Sequence, residues 1–128
     1  MFLSVDASDK RPLYKQVIDG VKELIARGVL REGMPLPSVR QVAGDLGVNL
    51  NTIAVAYREL QDEGFVNVRH GAGAVVATRS AQGAGEGELR KPLRTALTGF
   101  VLARFSDREI VALVRQELEW LRQKGGTL

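Results

Sequence analysis

Leu36-Pro-Ser-Val-Arg40, Asn49-Leu-Asn-Thr52 and Gly71-Ala-Gly73 are the three segments that decide the fold. In the first, Ser38 precedes Gln41 at the Ser-x-x-Gln spacing of a capping box, so a helix is predicted to begin there. The second opens with an asparagine, whose side chain can cap another helix. The third lies between two β-prone runs, an arrangement that predicts a hairpin. The predicted order is therefore helix, turn, helix and hairpin.

The two helices carry their apolar residues at helical spacing, and a glycine follows each of them. Gly47 is predicted to end the first helix and Gly64 the second. Two short helices joined by a glycine-containing turn are the helix-turn-helix signature. The second helix of this motif can place its N-terminal turn on base edges in the major groove of DNA. The apolar positions are Val39, Val42, Ala43, Leu46, Ile53, Ala56, Tyr57 and Leu60.

The flanking sequence predicts a mainly α fold with a small β-hairpin wing. A first helix begins at Pro12 and ends near Gly28, and strands over Phe65–Arg69 and Ala74–Thr78 flank the loop His70–Gly73. We expect a winged helix-turn-helix domain over residues 1–79. A glycine-rich linker is expected over 80–88, followed by two helices over 89–128 that form a dimerisation arm.

Composition limits the classes of function. The chain has 128 residues, no cysteine and a single histidine, His70, so disulfides and metal sites rich in cysteine or histidine are excluded. It lacks a signal pattern and an apolar run of about 18 residues, so a cytoplasmic protein without a membrane segment is expected. The net charge of +3 supports a nucleic-acid partner only weakly, because residues 1–80 hold ten Lys and Arg against nine Asp and Glu.

The residues do not predict an enzyme. Paired acids and a phosphate-binding glycine loop are not recognisable, and a Ser-His-Asp set would have to be built on His70 at a loop tip. We expect no cofactor and no metal. Beside a DNA-binding regulator, the alternative is a winged helix that serves as a protein-interaction module or anti-repressor without strong DNA binding. The nearly neutral N-terminal part favours this alternative slightly.

Six spaced motifs carry a family resemblance. They are Pro12-Leu-Tyr-x-Gln16, Leu36-Pro-Ser-x-Arg40, Leu46-Gly-Val-Asn49, Asn51-Thr52, Ala56-Tyr-Arg-Glu-Leu60 and Glu63-Gly64. In this order they resemble the N-terminal domain of GntR-type transcription regulators, over about residues 12–78. The short C-terminal part is similar to the YtrA subfamily, in which such a tail is a dimerisation arm. The resemblance implies a repressor that binds an inverted-repeat operator in double-stranded DNA as a homodimer.

The resemblance also implies which residues contact DNA. In the family, the arginine at the position of Arg40 reaches the DNA, and a guanidinium suits phosphate or a guanine edge. Asn51 can pair with adenine, and Thr52 can bind phosphate. His70 and Gly71 lie at the tip of the wing, which the family places in or near the minor groove. The predicted contact residues are Ser38, Arg40, Asn49, Leu50, Asn51, Thr52, Ala54, His70 and Gly71.

Other interpretations of these residues stay open. Ser38 and Asn49 can serve mainly as helix caps, Arg40 as a solvated surface charge and His70 as an ordinary turn residue. The chain also departs from the family pattern, since Val55 and Ala72 stand where relatives often carry basic residues, and proline or a basic residue is common at the position of Leu50. Fewer basic contacts predict weaker or less salt-dependent binding.

The C-terminal helices predict a dimer. They carry more apolar positions than two helices can bury alone, and a second subunit is the natural cover. Trp120 is expected at that interface, because aromatic residues are enriched there. A tail of two helices is too small to enclose a ligand pocket, so a small-molecule effector of unknown identity would have to bind at the dimer interface.

Overall fold

The computed structural model describes residues 3, 5–69, 73–78 and 85–123. They form two compact units, one ending at Thr78 and the other spanning 85–123. The elements are α1 (Leu13–Ala26), β1 (Pro35–Leu36), α2 (Val39–Leu46), α3 (Leu50–Asp62), β2 (Val66–Arg69), β3 (Gly73–Val76), α4 (Glu86–Leu102) and α5 (Asp107–Leu121). The predicted fold class, mainly α with a small β wing, is confirmed.

The core of the first unit is built around α3. The four residues that the sequence places on one face of this helix are all buried, and none is more than 1% exposed. They share one hydrophobic cluster with residues from α1, α2 and the sheet. Since α3 supplies the centre of the core, packing fixes which of its faces points outward. The four residues are Ile53, Ala56, Tyr57 and Leu60.

A three-stranded antiparallel sheet closes the first unit, with β3 between β1 and β2. Val66 pairs with Val76 in the hairpin, and Leu36 pairs with Ala74 on the other edge. The two strands of the hairpin were predicted, whereas β1 was not. A strand of two residues is too short to show an alternating pattern, so the sequence gives no signal for it. The loop residues 70–72 lie outside the described part.

The turn between α2 and α3 is held by backbone geometry. Gly47 has φ of 68°, in the left-handed region where glycine carries no steric penalty. The Val48 N–H then donates to the carbonyl oxygen of Ala43 at 3.0 Å, the bond that closes a helix in a Schellman motif. Gly47 therefore ends α2 as predicted and turns the chain into α3.

The second unit is a pair of helices, α4 and α5. As predicted, Ser106 caps α5 in a complete capping box: its Oγ accepts from the Glu109 N–H, and its own N–H donates to Glu109 Oε1. The hydrogen bond from the Ser106 backbone N–H, with a smaller contribution from the Ser106 side chain, holds the pKa of the Glu109 carboxyl below its ordinary value, because it favours the charged form. The expected linker over 80–88 needs correction, because α4 begins at Glu86. Glu86 and Glu88 favour a helix start, since acidic residues interact well with the N-terminal end of the helix dipole. Residues 79–84 lie outside the described part.

The second unit leaves most of its apolar surface in solvent. Within residues 85–123, Ile110 alone is buried, and α4 buries none of its residues. Leu93, Leu97 and Val101 on α4 face Val114 and other residues of α5 across a groove of about 620 Å³. The exposed large apolar residues of this unit are Leu89, Leu93, Val101, Leu102, Phe105, Val111, Val114, Leu118 and Trp120.

Candidate nucleic-acid interface

The outward face of α3 is the candidate interface. Residues on this helix at intervals of three and four lie on one face, so Asn51, Val55, Arg58 and Asp62 are neighbours opposite the buried residues. All four are exposed. Because the buried face of α3 is locked into the core, these side chains are presented to solvent in a fixed orientation.

Both predicted capping residues cap their helices. The Gln41 N–H donates to Ser38 Oγ at 3.0 Å, and the Asn51 N–H donates to Asn49 Oδ1 at 2.7 Å. The interpretation of Ser38 and Asn49 as helix caps is therefore confirmed, and their contact with DNA stays a prediction. Capping occupies the side-chain oxygen of Asn49 and leaves its amide nitrogen as a donor that suits a phosphate oxygen.

The other predicted contact residues fall into three groups. Leu50 and Asn51 are exposed on the first turn of α3, and Arg40 is exposed at the start of α2. Thr52 and Ala54 are only half-buried, so each keeps part of its side chain at the surface. The remaining two, His70 and Gly71, lie outside the described residues.

Two hydrogen bonds that the sequence did not reveal hold α3 in place. The Tyr57 hydroxyl donates to the carbonyl oxygen of Pro37 at 2.7 Å, which joins α3 to the segment that enters α2. The Val68 N–H donates to Gln61 Oε1 at 2.6 Å, which joins α3 to the hairpin. The sequence shows Tyr57 as an apolar core position and Gln61 as an ordinary helix residue, so neither bond has a signal in the pattern.

Tyr57→Phe should destabilise the first unit by about 1 kcal/mol, the usual net value of one hydrogen bond. The substitution keeps the buried ring and leaves the Pro37 carbonyl without its phenol donor. Burial also raises the pKa of the Tyr57 phenol, so the group stays protonated and able to donate across the pH range of such measurements. Urea unfolding curves measure the change. Tyr14→Phe, at a half-buried tyrosine of α1, is the control, and an equal loss in both variants would contradict this role.

Other site types find no support in the described residues. In those ranges, no three His, Cys, Asp or Glu side chains group as they would around a metal ion. Nor does the described part contain a helix of the length and apolarity needed to cross a membrane.

The model of the gntR family of bacterial regulatory proteins matches residues 13–76, half of the chain. The protein belongs to the GntR family. It is 33% identical over 87 residues to the HTH-type transcriptional repressor YtrA of Bacillus subtilis, an alignment that covers 68% of this chain and 67% of YtrA. The GntR resemblance seen in the motifs is confirmed. Family members are DNA-binding transcription regulators, so the expectation that the chain is not an enzyme is confirmed as well.

Two solved structures extend the likeness to the C-terminal unit of this GntR protein. YtrA from Sulfolobus acidocaldarius, a GntR-family transcription factor, is 39% identical, with a TM-score of 0.62 over 77% of this chain and 99% of its own. A structure described as a transcriptional antiterminator from Listeria monocytogenes EGD-e is 26% identical. Its TM-score is 0.83 over 94% of this chain and 92% of its own. The similarity to YtrA-type regulators is confirmed.

Proposed function

We propose that this GntR protein is a repressor that binds an inverted-repeat operator as a homodimer. The observation that carries the proposal is the division of α3 into a core face and an exposed face that opens with Asn51. In this proposal residues 1–79 are the DNA-binding domain and the two C-terminal helices, from Glu86, are the dimerisation arm. Its place of action is the cytoplasm, where the chromosomal operators of bacterial regulators lie.

We infer that α3 enters the major groove with its first turn. There the amide of Asn51 matches the two hydrogen-bonding groups of adenine, and the N-terminal amides of the helix favour a phosphate. Arg40 on α2 adds a guanidinium for a phosphate or a guanine edge. His70 and Gly71 are assigned to the minor groove beside it, as the family resemblance implies.

The exposed apolar face of the C-terminal unit supports the homodimer. A helix pair that buries one residue among 85–123 lacks a core of its own, so it needs further cover. A second copy of the same helices provides an apolar surface of the right kind, and a two-fold axis then matches an inverted repeat. We assign the groove between α4 and α5 to the partner subunit, and a small-molecule effector would bind at the resulting interface.

Arg40→Ala and Asn51→Ala should change DNA binding in different ways. Arg40→Ala removes a charge, so it should weaken binding and reduce its salt dependence. The cost is about 1–3 kcal/mol if the arginine reads a base. Asn51→Ala should relax the preference for the operator over random DNA, because an amide contact to a base carries sequence information. Titration of operator and random duplexes at several salt concentrations measures both effects.

The proposal is tested by a mobility shift of the full chain with promoter DNA from its own operon. A retarded complex whose affinity falls steeply with salt concentration is expected, since phosphate contacts release counterions. The same promoter must be less active in cells that contain the protein. A chain that binds no DNA at low salt would instead support a protein-interaction module, the function that the nearly neutral charge of residues 1–80 favours.

A further inference from the structure

The exposed surface of the first two turns of α3 is apolar apart from Asn51 and the half-buried Thr52. Leu50 is 45% exposed and Val55 38% exposed, and Ala54 is half-buried beside them. Leu50 and Ala54 are four residues apart, as are Asn51 and Val55, so the four side chains form one continuous surface. The first charged residue of α3 is Arg58, one turn beyond Ala54.

A single exposed valine or leucine needs no explanation, but an apolar surface at the N-terminal end of α3, where DNA contacts are proposed, does. In the major groove the base edges carry hydrogen-bonding groups and one apolar group, the 5-methyl of thymine. The amide of Asn51 matches adenine, the partner of thymine, in the same groove. The commonest contact to guanine comes from an arginine or lysine, and α3 offers neither before Arg58. The chemistry of this surface therefore fits A·T base pairs.

We propose that Val55 and Leu50 contact thymine methyl groups, so that the base pairs beneath the first two turns of α3 are A·T. Val55 then determines specificity and makes no phosphate contact. This inference rests on the proposed function, because it requires α3 to lie in the major groove. It also explains how a helix without basic residues in its first two turns can select a sequence.

The test uses the full chain and a duplex selected by it from a random-sequence library. Each thymine of the selected half-site is replaced in turn by deoxyuridine, which removes the methyl group and keeps every hydrogen-bonding group. At one or two positions per half-site the affinity should fall about fourfold, the value for one methylene-sized group taken out of contact. At the other thymines the affinity should stay the same.

For each position, the ratio of the affinity for the thymine duplex to that for the deoxyuridine duplex is compared between variants. Val55→Ala should bring this affinity ratio to one at the thymine that Val55 contacts and should leave it unchanged at the other thymines. Val68→Ala is the matched control, since Val68 is a valine of similar exposure, 44%, on β2 and off the α3 surface. It should keep every ratio of the parent protein. Because each ratio compares two duplexes with one protein variant, a partly unfolded sample does not change it.

The outcomes separate the inference from the proposed function. Salt-dependent binding with no deoxyuridine effect at any position, or with a ratio that survives Val55→Ala, overturns the thymine contact and leaves the regulator proposal standing. Selected half-sites that contain no A·T pairs would also overturn the thymine contact and leave the regulator proposal standing. If the chain selects no sequence and shows no salt-dependent binding to duplex DNA, both proposals fail together, and the apolar surface belongs to a protein partner.

Discussion

Leu60→Ala should lower the free energy of unfolding of the first unit by about 2–5 kcal/mol, the range for a large aliphatic side chain removed from a packed core. Leu60 is fully buried near the end of α3, in the cluster that joins this helix to α1 and the sheet. The lost methyl groups leave a cavity that the surrounding helices can fill only in part. This loss is a large share of the stability of a small domain. Urea unfolding of the whole chain measures it.

Leu50→Ala is the control on the same helix. Leu50 is exposed, so its truncation should change the free energy of unfolding by no more than about 0.5 kcal/mol. Comparing the two variants distinguishes the buried face of α3 from its exposed face, since Leu60 is needed for folding and Leu50 is assigned to DNA contact. Comparable losses of stability in the two variants would mean that α3 is not oriented with Leu60 inward.

The helices and the hairpin of the first unit follow from local rules that a sequence displays. Apolar residues at helical spacing, glycines after helices, and serine or asparagine at helix starts depend on neighbours a few residues apart. Gly47 illustrates this, because its left-handed φ and the bond from Val48 involve one short segment. For the same reason the capping roles of Ser38, Asn49 and Ser106 could be predicted.

Long-range contacts are what the sequence could not show. Strand β1 exists because Leu36 reaches Ala74, far along the chain, and Tyr57 finds its acceptor at Pro37. Gln16 shows the same limit. The motif Pro12-Leu-Tyr-x-Gln16 contains it, but only the structure shows that Gln16 is buried and that its side chain is hydrogen-bonded to the backbone of Asp6 and Arg11.

The candidate site shows a related limit. Its polar members could be named from the motifs, because residue type and position at a helix start suggest a DNA contact. The sequence pattern shows Val55 only as a missing basic residue, since such a pattern gives no information on what an exposed apolar side chain contacts. The structure adds its exposure and its neighbours on α3, which turns an apparent loss of charge into a surface with chemistry of its own.

Val114→Glu should separate the proposed dimer into monomers. Val114 lies in the groove between α4 and α5, where a partner subunit would enclose it. The lining of this groove is mostly apolar, so a carboxylate enclosed there costs several kcal/mol in lost hydration. Gln116→Glu adds the same charge to the same helix two residues away, about 200° around the axis and in solvent. Light scattering at micromolar concentration should show a 14.0 kDa particle for Val114→Glu alone.

The separated Val114→Glu protein should bind an inverted-repeat duplex about 100-fold to 10,000-fold more weakly than the parent does. In a dimer, binding of one half-site holds the second DNA-binding unit near the other at a high effective concentration, and this advantage disappears in the monomer. Affinity for a duplex with one half-site should not change, because the contacts of α3 are untouched. The Gln116→Glu variant should match the parent on both duplexes. A Val114→Glu protein that stays dimeric, or a monomer that binds the full repeat as tightly as the parent, would place the dimer contact elsewhere than on α4 and α5.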